Sequence, residues 1–150
     1  MKKAASIFLR ADVEPADVQD LANWMEDREV TRYLNEERGT AEQLRKLAAS
    51  VPEPMLTYHF NQRGHLFMAC SGDEGAVGFV KLKEMEDARC YEIVFAIGDK
   101  SLWGNGYGSQ AVQVAESKAF LDWRVRKLTA KIYRKRRKAP AFRHGDISRP

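Results

Sequence analysis

The run Trp103-Gly104-Asn105-Gly106-Tyr107-Gly108-Ser109-Gln110 sets three glycines at alternate positions between an apolar segment and a helical one. A helix start offers unpaired backbone N–H groups and the positive end of the macrodipole, which together bind phosphate. Glycines just before it let the backbone approach a pyrophosphate without a Cβ in the way. A strand-to-helix turn that needs positive φ would use glycine too, but three of them before a small-residue helix favour an anion site. Two nucleotide signatures do not fit. No Gly-Lys-Ser/Thr follows at P-loop spacing, and the dinucleotide fingerprint needs glycine where Ser109 stands.

Glu92 is the second position with chemical potential. It is the only charge inside the run Cys90 to Ile97 (CYEIVFAI), on the strand face it shares with Val94 and Ala96. A carboxylate there can relay a proton, and does so better if burial raises its pKa. The same position also suits a solvated strand end. His59, His65 and His144 are scattered and read as structural or exposed. Glu26, Asp27, Glu29, Glu36 and Glu37 gather around the first helices; they read first as a solvated face and second as an attractor for a cationic ligand. Trp24 and Tyr33 read as core. Cys70 and Cys90 lack metal-ligand spacing and read as buried thiols of a reducing cytoplasm, and no metal is expected.

These groups must be positioned by a mixture of helices and strands. Ser6 to Arg10 reads as a strand, and Glu14-Pro15-Ala16-Asp17 opens a helix whose stripe is Val18, Leu21, Ala22 and Met25. A second helix is expected from about Glu29 to Asn35. A third starts at Thr40, where Thr-Ala-Glu-Gln has capping-box spacing, and ends before Pro52 and Pro54. Strands follow at Leu66 to Cys70, Ala76 to Lys83 and Cys90 to Ile97, with a hairpin loop at Ser71 to Gly75. The helix from about Tyr107 to Trp123 and a strand from Leu128 to Tyr133 complete a parallel crossover unit. The fold class is α+β: N-terminal helices, an antiparallel meander, then one βαβ unit in a mixed sheet.

With 150 residues, 44% hydrophobic and 31% charged, the chain has the composition of one soluble core. Arg10 stops the N-terminal apolar run, and no segment approaches a membrane span, so a cytoplasmic protein without membrane partners is expected. The net +4 hides an asymmetry: from Arg124 to Pro150 eleven bases face one acid, while the first 123 residues hold fourteen bases and twenty acids.

On these residues the sequence resembles the GNAT superfamily of acetyl-CoA-dependent N-acetyltransferases, in the branch with ribosomal-protein, polyamine and aminoglycoside acetyltransferases. Gly106-Tyr107-Gly108 matches the end of the family's signature, with Trp103 in the place of its Gln or Arg. Asn23-Trp24-Met25-Glu26-Asp27 and Glu29-Val30-Thr31-Arg32-Tyr33-Leu34 are similar to the branch's first-helix region. The resemblance covers roughly residues 5 to 134. It implies acetyl-CoA as co-substrate, its pyrophosphate on Trp103, Gly104, Asn105, Gly106, Tyr107, Gly108 and Ser109, and its pantetheine arm along Phe95, Ala96 and Ile97. It implies that Glu92 faces the acceptor, a small-molecule or peptide primary amine. Such an amine, with a pKa of ~10.4, costs about 4.6 kcal/mol to deprotonate at pH 7.

After Tyr133 the chain departs from the family. Arg136 stands where the family has Asn, Pro140 opposes a helix interior, and no tyrosine follows to protonate the leaving thiolate. The expectation is a domain over 1–134 and an irregular basic tail over 135–150, with the usual C-terminal helix and strands missing. An exposed apolar edge on the last strand would then be covered by a homodimer partner, and acetyl transfer would be weak. Two other functions compete. Arg134 to Lys138 beside Tyr133 suits a nucleic-acid or ribosome-binding module, and a CoA-binding domain without catalysis would share the glycine loop.

Overall fold

A computed structural model describes residues 6–32, 34, 39–72 and 75–130, and the backbone of 145–147. Six strands form one sheet in the order β1 (Ile7–Arg10), β2 (Gly64–Ser71), β3 (Gly75–Glu84), β4 (Cys90–Ile97), β5 (Lys127–Ala130) and β6 (Gly145–Ile147). All neighbours are antiparallel except β4 and β5, which run parallel and are joined by helix α5 (Tyr107–Asp122). The α+β order of meander and crossover is the expected one.

The period-two side-chain alternation of the strands separates two cores. Phe67, Ala69, Val80, Leu82, Ile93 and Leu128 face α5, where Ala111, Val112, Ala115 and Ala119 let the helix approach closely. Leu66, Met68, Cys70 and Phe79 face the opposite way, toward α1 (Pro15–Glu26), α3 (Thr40–Ser50) and α4 (Leu56–Phe60). Asp17 anchors α1 to β1: its buried carboxylate accepts two hydrogen bonds from the Arg10 guanidinium, at 2.6 and 3.0 Å, and one from the Glu14 N–H at 2.8 Å.

Helix α4 has no counterpart among the expected elements, and three further elements differ from expectation. Helix α2 covers only Arg28–Thr31, and it starts one residue before the expected Glu29 because the Asp27 side chain caps it by accepting from the Glu29 N–H at 2.9 Å. Helix α3 has Gly39 as its N-cap at φ +83°, so Thr40 lies one residue inside and the expected capping box does not form. The tail is not wholly irregular, since Gly145–Ile147 pairs with β5 through Leu128↔Ile147, Thr129↔Asp146 and Ala130↔Gly145. The β5 edge expected to lie open is therefore taken by a strand of the same chain, and Leu128 and Ala130 are buried. Tyr33, Glu36, Glu37, His144, the last residues of the expected strand to Tyr133, and the basic run Arg134 to Lys138 lie outside the described residues, as do Arg136 and Pro140.

Candidate active site

The glycine run forms the connection from β4 to α5. Gly98 and Asp99 donate to the Val77 carbonyl at 2.8 and 3.3 Å, fixing the end of β4 against β3. Lys100–Leu102 makes one 3-10 turn, capped by Asp99, whose carboxylate accepts from the Ser101 N–H at 3.0 Å. The Trp103 indole N–H then donates to the Ile97 carbonyl at 2.7 Å, and the Asn105 amide donates to the Leu102 carbonyl at 2.9 Å. The loop is thereby held by its own side chains, with the Trp103 ring 44% exposed above it.

Gly106 is the N-cap of α5 at φ +83°, and Gly104 sits at φ +87°. Both conformations belong to glycine, and a Cβ built at either would meet nothing within 4 Å. No side chain caps the helix, so the N–H groups of its first turn, at Tyr107, Gly108 and Ser109, are oriented toward the open space before it. Gly108 differs from these two: a Cβ there would lie 3.3 Å from the Phe95 ring, a tight contact. The structure thus brings Phe95, Ile97, Gly108 and the loop together at one end of β4, while the Tyr107 side chain is buried in the core and Ala96 faces the other way.

Glu92 is on the Ala96 side, only 9% exposed. Its strand end is therefore not a solvated one. The described part of β5 pairs β4 from Cys90↔Lys127 to Ile93↔Ala130, with Thr129 opposite Glu92, and β4 runs on to Ile97 beyond that ladder. At ~3.3 Å per residue, Glu92 stands about 16 Å along the strand from Ile97.

Helices α1 and α2 are tied to the loop by two contacts that carry no local sequence signal. Trp24 packs flat on Gly98, where a Cβ would come within 2.2 Å of the indole. Lys100 Nζ bridges Asp27 at 2.9 Å and Glu29 at 2.7 Å, which holds the Asp27 carboxyl below its ordinary range and raises the Lys100 amine. Arg45 likewise engages Glu26 at 2.7 Å and lowers its carboxyl. Glu26, Asp27 and Glu29 are thus each paired within the protein, while Glu36 and Glu37 lie outside the described residues.

Of the histidines, His59 is exposed, and His65 stacks on Trp123 with ring centroids 4.0 Å apart. An open groove of about 530 Å³ lies at the far end of α5, lined by Arg89, Phe120, Leu121, Arg124 and Val125. Among the described residues no helix is long and apolar enough to cross a membrane.

The family model described as Acetyltransferase (GNAT) domain matches residues 7–138. No curated protein sequence matches the chain. Among solved structures, a GNAT-family acetyltransferase from Bacillus anthracis superposes with a TM-score of 0.64 at 20% identity, over 85% of this chain and 70% of that one. Spermidine N-acetyltransferase from Vibrio cholerae, in complex with CoA and spermine, gives 0.68 at 19% identity, over 85% and 71%. AAC(6')-Ib in complex with paromomycin and acetyl-CoA gives 0.64 at 17% identity, over 85% and 73%. At such identities the likeness is one of fold.

Proposed function

The chain belongs to the GNAT acetyltransferase family, and from that premise we propose that it moves an acetyl group from acetyl-CoA to a primary amine. The observation that carries the reading is the uncapped start of α5. There, two glycines at positive φ face open space beside the apolar end of β4. A pyrophosphate fits such a start, because backbone N–H groups and the helix dipole supply its partners and no Cβ obstructs its approach. Residues 103–109 would hold the pyrophosphate, and Phe95, Ala96 and Ile97 would lie beside the pantetheine arm. Acetyl-CoA supplies an activated acyl group when bound.

The rest of the proposal concerns this chain's own residues. Glu92, buried on the sheet, accepts the proton that a protonated amine must lose before it can attack, directly or through water. Trp103 and Asn105 hold the loop in one shape, so that little ordering is needed on binding. The two fold neighbours solved with amine ligands, spermine and paromomycin, support an amine as acceptor. A cytoplasmic setting is part of the proposal, supported by two free, buried thiols at Cys70 and Cys90. The CoA-binding domain is read as 1–134 and the basic residues 135–150 as its extension. A homodimer paired on the β5 edge has lost its support, since β6 pairs there; light scattering will report whether another surface serves.

Calorimetric titration with CoA tests the reading. Gly106→Val puts a branched side chain into the open space at the helix start and strains a left-handed φ, so affinity should fall by more than ~10-fold, or ~1.4 kcal/mol. A folded Gly106→Val protein with unchanged affinity would remove the pyrophosphate from this loop.

A further inference from the structure

We propose that the acceptor is an anionic amine, one that carries carboxylate groups close to its reacting nitrogen, held by Lys81 and Lys83 beside Glu92. The inference rests on the acetyltransferase reading above and names its substrate class.

The register of the sheet places these residues together. Lys81 is opposite Val94 and Lys83 is opposite Glu92, so both lysines project from the sheet face that carries Glu92. On its other side Lys81 is opposite Leu66, which belongs to the core under α1 and α4. The two lysines therefore begin where the helical cover of this face stops. Both are exposed, and neither forms an ion pair with a described residue. Glu84, the next acid along β3, is opposite Tyr91 and faces the α5 side, so it does not offset them.

The surroundings do not favour a polycation. A site for a polyamine or aminoglycoside needs further carboxylates, beyond the one that takes the proton, to face its other amines. Of the described acids on α1 and α2, Glu26 is engaged by Arg45, and Asp27 and Glu29 share Lys100. A polycation approaching Glu92 would meet the two like charges of Lys81 and Lys83, whereas a carboxylate beside the reacting amine would meet both lysines. Such charge complementarity decides between acceptors through their productive encounter more than through total affinity. A free acidic amino acid and a peptide with an acidic N-terminus share this chemistry.

The test is acetyl transfer by the full chain, read as CoA thiol release. The acceptors are free glutamate, a short peptide beginning Glu-Glu, the same peptide beginning Lys-Lys, and spermidine. We expect kcat/KM for glutamate or the acidic peptide to exceed that for spermidine and the basic peptide by at least ~10-fold. Which of the two acidic acceptors is used identifies the source. In the Lys81→Glu/Lys83→Glu variant KM for the acidic acceptor should rise at least ~10-fold, kcat should change little, and spermidine should gain. Preference for spermidine or the basic peptide in the unaltered protein overturns this inference alone. So does an unchanged preference in a charge-reversed variant that melts and binds CoA like the parent. Transfer to none of the four amines, despite CoA binding, overturns the acetyltransferase reading and this inference with it.

Discussion

On the α5 side of the sheet, Ala111, Val112, Ala115 and Ala119 press against Phe67, Val80, Leu82, Ile93 and Leu128, and no buried charge interrupts them. On the α1 side the same strands meet a cover that contains buried Asp17, and beyond that cover the sheet carries Glu92 beside two exposed lysines of β3. The α5 side is closed and apolar, the arrangement that most stabilises a fold of this size. The α1 side retains charges at places where apolar residues would cost less. Asp17 is accounted for by its anchoring of α1 to β1, whereas the proposal gives Glu92 a chemical role, so the two faces should respond differently to substitution.

The largest effect is expected on the closed face. Leu128 is 0% exposed, so Leu128→Ala should lose about 2–5 kcal/mol by the cavity it leaves. At roughly 2–4 °C per kcal/mol, thermal melting will show it. CoA affinity measured below the transition should hold. A loss under ~1 kcal/mol would mean that β5 is loosely packed, and the contrast between the faces would break.

Next comes the open face. Glu92→Gln should reduce kcat about 100-fold while leaving stability and CoA affinity nearly unchanged. Activity equal to the parent's across pH 6 to 9 would make Glu92 a structural residue and erase the chemical half of the comparison.

The third experiment joins the faces. Gly98→Ala sets a Cβ into the Trp24 indole and should cost about 1–3 kcal/mol of stability, with weaker CoA binding as the loop shifts. Trp24→Ala in the same chain removes the obstacle, so the pair should be strongly non-additive in a double-mutant cycle. Additive losses would show that α1 does not support the loop through this contact.

The smallest effect is a pH dependence on the closed face. Burial pushes the His65 imidazole below its ordinary pKa of 6.5, against a weaker upward pull from Glu84. The folded protein then binds this proton less readily than the unfolded chain. The stabilisation is complete above the unfolded value and is lost as pH falls from there toward the folded one. His65→Phe should flatten the stability profile in that window, as followed by urea unfolding. An equally steep profile would assign the slope to other groups.

Much of the site could be read along the chain because it is local. Gly104 and Gly106 lie within three residues, and both serve a strand-to-helix turn whose positive φ is a need of its own backbone, whereas the tight fit of Gly108 on Phe95 is a tertiary contact. The α5 stripe and the alternation of β3 follow from helical and strand periods in the same way. The boundaries were less legible: α2 starts at Arg28 behind the Asp27 cap and α3 is capped by Gly39, because capping depends on which nearby groups reach the helix end.

The amino-acid sequence by itself determined the element order, the glycine-built helix start and the presence of one acid in an apolar strand. Each of these depends on neighbours a few residues away. Only the tertiary structure decided that Glu92 is buried, that Lys81 and Lys83 share its face, and that Trp24 lies on Gly98. Only the tertiary structure, too, pairs Lys100 with two acids some seventy residues before it and fills the β5 edge from the chain's own end. The physical reason is that strand register and helix docking are set by burying apolar faces against one another. No spacing along the chain encodes which charged groups that packing brings side by side.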